Sequence, residues 1–408
     1  MLGAGGAIQC ASMEAAAESA RQSRFRTALR EGERVSPLEL FFDLVFVLAI
    51  TQCTALMIEH PTWGGVGQGL LVLAVLWWTW VGYSWLTSVV DPEDDSVRMT
   101  IFVAMAALLV VALCVPRAFG NLALTFAVAY GVVRTAHIAL FMLASREDPG
   151  LRHSVNGLAV GTAIGVGLLA VASLFDGLAQ AAIWALALTL DVGAPYFAID
   201  ASGWRLAPRH FAERHGLILI VALGESIVAI GVAAELGLDA GIVAAAVLGV
   251  ALTAAMWWIY FDVVALVAGR RLAEAKPGRE QNEMARDSYS YLHFPMVAGI
   301  VLVALGLKKT LAHVGDPLET VPAFALLGGV AAYLLGHVAF RYRHVHTINR
   351  RRLTLSAVLL ALLPLAVELP ALAMLAIATM LLWALIAYET RSYGEARDRV
   401  RHAERAEV

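Results

Sequence analysis

Apolar residues gather along this chain in long runs, separated by short polar segments rich in Arg. A helix needs about 20 mostly apolar residues to cross the hydrocarbon layer of a bilayer. By that measure the runs predict twelve spans: 37–58, 66–88, 100–115, 121–144, 156–175, 180–199, 213–234, 240–268, 288–312, 321–340, 353–368 and 370–390. The last two are short and separated only by Glu368–Pro370, so they also read as one bent hairpin. The expected fold is an all-α polytopic transmembrane helical bundle. It divides into a cytoplasmic N-terminal segment (1–36), a first six-helix half (37–199), a cytoplasmic linker (200–212), a second six-helix half (213–390) and a cytoplasmic tail (391–408).

Composition agrees and removes other classes. Of 408 residues 60% are apolar and 15% charged, against about 25% charged in an average soluble domain, so the chain could not cover a water-facing surface. The same figures, with a formal net charge of −3, exclude disorder, collagen and nucleic-acid binding. Cys10, Cys53 and Cys114 are scattered and offer no disulfide framework or CxxC metal site. Residues 1–36 carry five Arg without a long apolar run, unlike a cleavable signal peptide, and Met13 is an alternative start.

Basic residues orient the spans. With a cytoplasmic N-terminus, the cytoplasmic segments hold 25 of the 30 Lys and Arg. The external segments hold three (Arg117, Lys308, Lys309), and Arg134 and Arg214 fall within spans. The positive-inside rule expects this bias, and a spurious span would scramble it downstream. Both termini are therefore expected in the cytoplasm. A faint repeat accompanies the count: Trp77 and Trp78 correspond to Trp257 and Trp258, and Glu39 to Glu213. Tyr130, Arg134 and His137 correspond to Tyr333, His337 and Arg341. Six spans separate the members, which suggests a parallel six-plus-six duplication, a plan some transporters use.

Charges inside spans cost about 2.5–3.5 kcal/mol each on insertion scales, so each needs a partner or a purpose. Ser36, Pro37 and Glu39 form a capping-box pattern, which explains Glu39 as well as a functional role would. Asp43 lies one turn deeper on the same face and has no such explanation. Glu213 and Arg214 sit at the cytoplasmic rim, where they can cap and snorkel. Glu225, twelve residues beyond Glu213, lies about 18 Å further along the helix, near the bilayer centre, and is the strongest single candidate. His293 precedes Pro295, so it is either a proton carrier at a broken helix or a His bonded to a freed carbonyl. Arg134 requires an acid, which Asp43, Glu225 or Asp191 could supply; Asp191 precedes Gly193 and Pro195, a second expected break. Asp262 follows Trp257, Trp258, Tyr260 and Phe261 and suits an aromatic-lined cavity, while Lys308 and Lys309 read as snorkelling. The candidate substrate- or proton-binding set is thus Glu39, Asp43, Glu213, Glu225, His293, Arg134, Asp191 and Asp262. No HExxH, HxxxD or paired-Asp signature assigns a catalytic residue, metal ligand or cofactor.

Three segments carry a family resemblance: Ser36–Gln52 (SPLELFFDLVFVLAITQ), Glu213–Gly231 (ERHGLILIVALGESIVAIG) and Tyr289–Ala304 (YSYLHFPMVAGIVLVA). Over roughly residues 34–390 the chain resembles the bacterial low temperature requirement protein A family. It keeps the acids of those motifs at Glu39, Asp43, Glu213 and Glu225 and the His at His293, and departs at His215, where an apolar or aromatic residue is more usual. The resemblance implies a polytopic inner-membrane protein linked by name to growth in the cold and leaves its molecular activity open. The residues favour a proton- or cation-coupled secondary transporter of a small solute, with membrane lipids and further copies of the chain as partners. The alternatives are a membrane-embedded enzyme acting on lipid, and a channel or sensor. A carrier is expected to surround Glu225 with a cavity, an enzyme to gather its acids and His near the cytoplasmic face, and a channel to carry a continuous pore.

Overall fold

In the computed structural model, which describes residues 34–197, 203–234 and 239–407, the regular elements are helices. The expected N-terminal segment up to residue 33, with Cys10 and Met13, and residues 200–202 of the expected linker lie outside the described residues. The first half comprises α1 (Pro37–Glu59), α2 (Trp63–Thr87), α3 (Asp95–Cys114), α4 (Ala123–Ala144), α5 (Pro149–Ala172) and α6 (Gly177–Phe197). The second begins with α7 (Pro208–Ala234), α8 (Ala240–Phe261) and the short α9 (Val264–Glu274). Next, α10 (Arg279–Met284) passes through a π-helical turn, Ala285–Tyr291, into α11 (His293–Ala312). Then come α12 (Thr320–Val345), the broken pair α13 (Arg350–Ala361) and α14 (Leu363–Ala366), and α15 (Ala371–Glu407).

The sequence marks most helix starts. Ser36, Thr62, Asp94, Asp148, Asp239 and Asn349 each accept first-turn backbone N–H groups through the side chain, satisfying donors that a helix cannot satisfy itself. Pro37 and Pro149 stand in the first helical turn, where a missing N–H costs nothing.

Ten helical stretches among the described residues are long and apolar enough to cross a membrane, where the sequence suggested twelve. The two others are α6, apolar over Gly177–Gly193, and the α13–α14 pair, divided at Leu362 just ahead of Pro364. A proline there cannot donate into a continuous helix, so 353–368 is two pieces rather than one. By contrast, α6 runs on to Phe197 without the break expected at Gly193 and Pro195.

Two contacts fix how the chain returns. Residues of α1 meet residues of α7 in the same order, Glu39 with His210, Asp43 with Arg214 and Thr51 with Glu225, so these helices run parallel. An odd number of traverses must intervene, which the five helices α2–α6 supply. After α12, α13 and α14 carry the chain back to the level of the α11–α12 loop, where Ala371 N–H donates to the Asp316 carbonyl at 2.8 Å.

Packing follows one scheme twice. In the first half α1 packs on α2 and α3, α3 on α4, α4 on α5, and α6 on α5 and α2. In the second half α7 packs on α8 and α11, α11 on α12, α12 on α13, and α15 on α13 and α8. The tightest crossing joins α11 and α12. A Cβ on Gly299 would stand 2.5 Å from the Gly329 carbonyl oxygen, and one on Gly306 2.7 Å from the Leu326 backbone. Small residues are what let transmembrane backbones approach this closely. The spans of α2, α11 and α12 are the most buried, while those of α5 and α8 leave apolar side chains such as Val160 and Val247 outside.

Candidate functional site: buried ion pairs on the α1–α7 seam and an adjoining cavity

Glu39 and Asp43 lie four residues apart on α1, and His210 and Arg214 four apart on α7, so each pair occupies one helix face. The parallel packing sets the faces against each other. His210 Nε2 lies 2.8 Å from Glu39 Oε1, and Arg214 Nη2 donates to Asp43 Oδ1 at 3.0 Å. The other guanidinium nitrogen stands 3.9 Å from Glu39 Oε1. All four residues are at most 2% exposed. From α2, Trp80 Nε1–H donates to Asp43 Oδ1 at 2.8 Å, and its ring lies 5.4 Å beneath the Arg214 guanidinium. Glu39 also completes the capping box with Ser36, so its cap role and its ion-pair role coexist. Asp43 Oδ2 and Arg214 Nε are buried without a hydrogen-bond partner.

Eleven residues beyond Arg214, about 16 Å along the α7 axis, Glu225 forms a second layer. Lys308 Nζ of α11 donates to Glu225 Oε1 at 3.2 Å, and Thr51 Oγ1 of α1 lies 2.5 Å from Glu225 Oε2. Glu225 is 1% exposed. Between the layers, apart from His215 next to Arg214, the buried residues are apolar: Phe46, Ala49 and Ile50 on α1, Leu219, Ala222 and Leu223 on α7.

The remaining candidates separate. Arg134 of α4 finds its acid in Asp191 of α6 at 3.0 Å, with Thr162 of α5 within 2.5 Å of the guanidinium, a buried clamp across three helices. Next to it lies His137, whose ring is buried. His293 opens α11, 2.9 Å from the Tyr260 hydroxyl and 3.2 Å from the Ser288 carbonyl, an acceptor in the π-helical turn. Asp262 caps the end of α8 rather than joining the other acids. Glu213 is exposed on α7 and accepts a 3.4 Å contact from Val35 N–H. Among the described residues no three His, Cys, Asp or Glu side chains converge as a metal ion requires.

Reading the sequence alone missed His210, Trp80 and Thr51, and it assigned Arg214 and Lys308 to the membrane rim. The four-residue spacing of His210 and Arg214, echoing Glu39 and Asp43, was the available signal. Outside the spans, Asp148 caps α5 and binds Arg205. The N–H donors of Leu151, then that arginine, hold its carboxyl below the ordinary value.

Two cavities adjoin the seam on either side of Trp78 and Ser290. One, of about 60 Å³, is lined by Arg134, His137, Arg286, Trp85 and Trp204. The other, of about 500 Å³, is lined by Trp77, Tyr291, Phe294 and Thr189. The π-helical turn forms their shared wall, and Trp77 Nε1–H and Trp85 Nε1–H hold it by donating to the Ser290 carbonyl (2.8 Å) and hydroxyl (3.0 Å). Trp77 in turn stacks on Trp80, the donor to Asp43, with centroids 5.3 Å apart. Cavity wall and ion pairs are therefore linked by two indoles. π-Helical turns recur at functional sites.

Comparison with known proteins completes the description. Residues 34–387 match the family described as Bacterial low temperature requirement A protein (LtrA). A Rhizobium meliloti (strain 1021) protein named "Uncharacterized protein RA0937" is 30% identical over 309 residues, 73% of this chain and 75% of that protein. No solved structure matches.

Proposed function

The chain belongs to the bacterial low temperature requirement A family and is a multi-pass integral membrane protein; from its buried ion pairs we propose that it is a secondary transporter coupling a small solute to a proton or cation. The observation that carries the reading is the α1–α7 seam, with one buried ion-pair layer near each end and an apolar stretch between. A buried carboxylate is tolerable while its cation stays in place, and losing that cation leaves an expensive unpaired charge unless a proton replaces it. Protonation of Asp43 or Glu225 therefore exchanges a proton for an interhelical contact, which is how an ion gradient can bias a two-state bundle.

The 500 Å³ cavity is of the size that small ligands occupy, and Trp77 in its wall, stacked on Trp80, connects solute occupancy to Asp43. We read Arg134 and His137 as the polar end of this site and His293 as support for the π-helical turn. The twice-used packing scheme favours a parallel six-plus-six repeat and twelve traverses, with both termini on the cytoplasmic side of the bacterial inner membrane.

The test is proton flux in proteoliposomes under an imposed pH gradient, with and without a panel of small amino acids, organic acids and amines. Wild type is expected to dissipate the gradient with at least one solute, and Glu225→Gln and Asp43→Asn to abolish that dissipation. Equal behaviour of wild type and protein-free vesicles across the panel overturns the reading.

A further inference from the structure

A third cavity, of about 510 Å³, opens where the end of α8, the α12–α13 connection and α15 meet. Its floor is apolar, from Trp258, Ile259 and Ile386, and its rim carries Arg341, Arg350, Arg351 and Arg352 against two acids, Asp262 and Glu389. One arginine is fully engaged: Arg352 forms a two-pronged pair with Glu389, at 2.8 and 3.1 Å, which Asn349 joins. Arg351 lies 4.3 Å over the Tyr388 ring. Arg341 bonds only the Thr347 hydroxyl, at 3.1 Å, and Arg350 makes no hydrogen bond or ion pair among the described residues. Four guanidiniums therefore face two carboxylates, and neither Arg341 nor Arg350 makes an ion pair among the described residues.

Position narrows the ligand. The floor residues belong to membrane-crossing stretches (Ala240–Glu274 and Ala371–Ser392), and Ile348 stands 56% exposed beside the arginines. The site thus offers a hydrocarbon-level wall and a guanidinium rim one above the other, at the boundary of the bilayer. A guanidinium presents planar paired donors matched to phosphate oxygens, and basic pockets between transmembrane helices take lipid headgroups. We propose that this cavity binds a phosphate ester, the headgroup of an anionic phospholipid, with Arg341 and Arg350 on the phosphate and Trp258, Ile259 and Ile386 along the chain. Bound there, the lipid bridges α13 to α15 and α8. The Arg352–Glu389 pair already joins α13 to α15, and the lipid adds a second tie on the broken helix that returns the chain.

The experiment uses the full chain purified in detergent. Its thermal midpoint is read with added dioleoyl phosphatidylglycerol, dioleoyl phosphatidylcholine or inorganic phosphate, for wild type, the double variant Arg341→Gln/Arg350→Gln and a control, Arg146→Gln. Phosphatidylglycerol is expected to raise the midpoint of wild type and control by several degrees more than phosphatidylcholine does, and to bind the double variant at least tenfold more weakly. Both arginines are exposed and make no ion pair, so the variant folds; its circular dichroism and its midpoint without lipid check this. A shift with inorganic phosphate alone would reassign the site to the free anion and overturn the lipid. Equal responses to the two lipids, or equal responses of wild type and double variant, would overturn the site.

Discussion

Lys308→Met tests the deeper ion pair directly. At the observed 3.2 Å separation, an effective dielectric near 20 gives an attraction of about 5 kcal/mol. That attraction offsets the cost of keeping the Glu225 carboxylate, 1% exposed, out of water. Methionine fills the space but leaves the carboxylate with Thr51 alone, and removing one partner of a buried pair costs about 3–5 kcal/mol. The reverse change is milder. Glu225→Gln keeps the volume and the Thr51 contact, and Lys308, whose side chain is 14% exposed, can turn its ammonium toward water, for about 1–2 kcal/mol. The double variant Glu225→Gln/Lys308→Met has neither charge and is expected within about 1 kcal/mol of wild type, because an uncharged replacement of a buried pair is often neutral. The assay is the thermal midpoint of the purified full chain, followed by tryptophan fluorescence through all four corners of the cycle. The expected order is wild type and the double variant highest, then Glu225→Gln, with Lys308→Met lowest. A double variant whose loss equals the sum of the single losses would refute the pairing as an energetic unit.

Further expectations concern other parts of the bundle. Arg214→Met removes the cation within 4 Å of both Glu39 and Asp43 and should lower the midpoint by an amount corresponding to about 3–5 kcal/mol, with Asp43→Asn in the same chain recovering part of it. Gly299→Val drives a side chain into the Gly329 carbonyl and should cost about 1–3 kcal/mol by overpacking, whereas Gly315→Ala, with open space around it, should leave the midpoint unchanged. Asp148→Ala should cost about 0.5–2 kcal/mol at neutral pH by removing the α5 cap. The Asp148 carboxyl is held below its model-peptide value of 3.8, so its contribution is present above that value and lost as pH falls through the folded one. The gap in midpoint between wild type and Asp148→Ala should therefore narrow as the pH falls below that value.

Hydropathy located the helices because crossing a bilayer demands long apolar runs, and the capping residues Ser36 and Asp148 stand where those runs begin. At α13–α14 the apolar run is present, but Pro364 divides the helix, which hydropathy does not register. For the charges, the same physics named both members of the Arg134–Asp191 pair, but found only Asp43 and Glu225 of the other two and misplaced their cations. Asp43 and Glu225 are conspicuous because a carboxylate inside a span has no reason to be there unless it is used or matched. Their partners, Arg214 and Lys308, sit nearer helix ends, where snorkelling makes a cation inexpensive and leaves it unmarked. Which residue across the bundle would meet them depends on α1 and α7 lying parallel and in register, a tertiary fact that no single helix carries. The π-helical turn before His293 was legible only as a disturbance at Pro295, since the extra residue per turn has no signature in composition.

That register also bears on how such a bundle could alternate. The Asp43–Arg214 and Glu225–Lys308 layers are held by the same helix, α7, at points about 16 Å apart, and the buried residues between them are apolar apart from His215. Opening both layers at once would expose that apolar seam along its length and strand charges at each end, the most costly arrangement available. Opening one layer while the other stays closed strands a single pair and keeps the seam covered. A proton on the carboxylate of the open layer removes even that cost, because the neutral acid no longer needs its cation. The closed layer then acts as the pivot. On the proposed transporter reading, the two ends would open one at a time, each opening going with protonation of one named carboxylate. Alternating access coupled to protons requires that combination of exclusivity and proton dependence, and a continuously open pore does not.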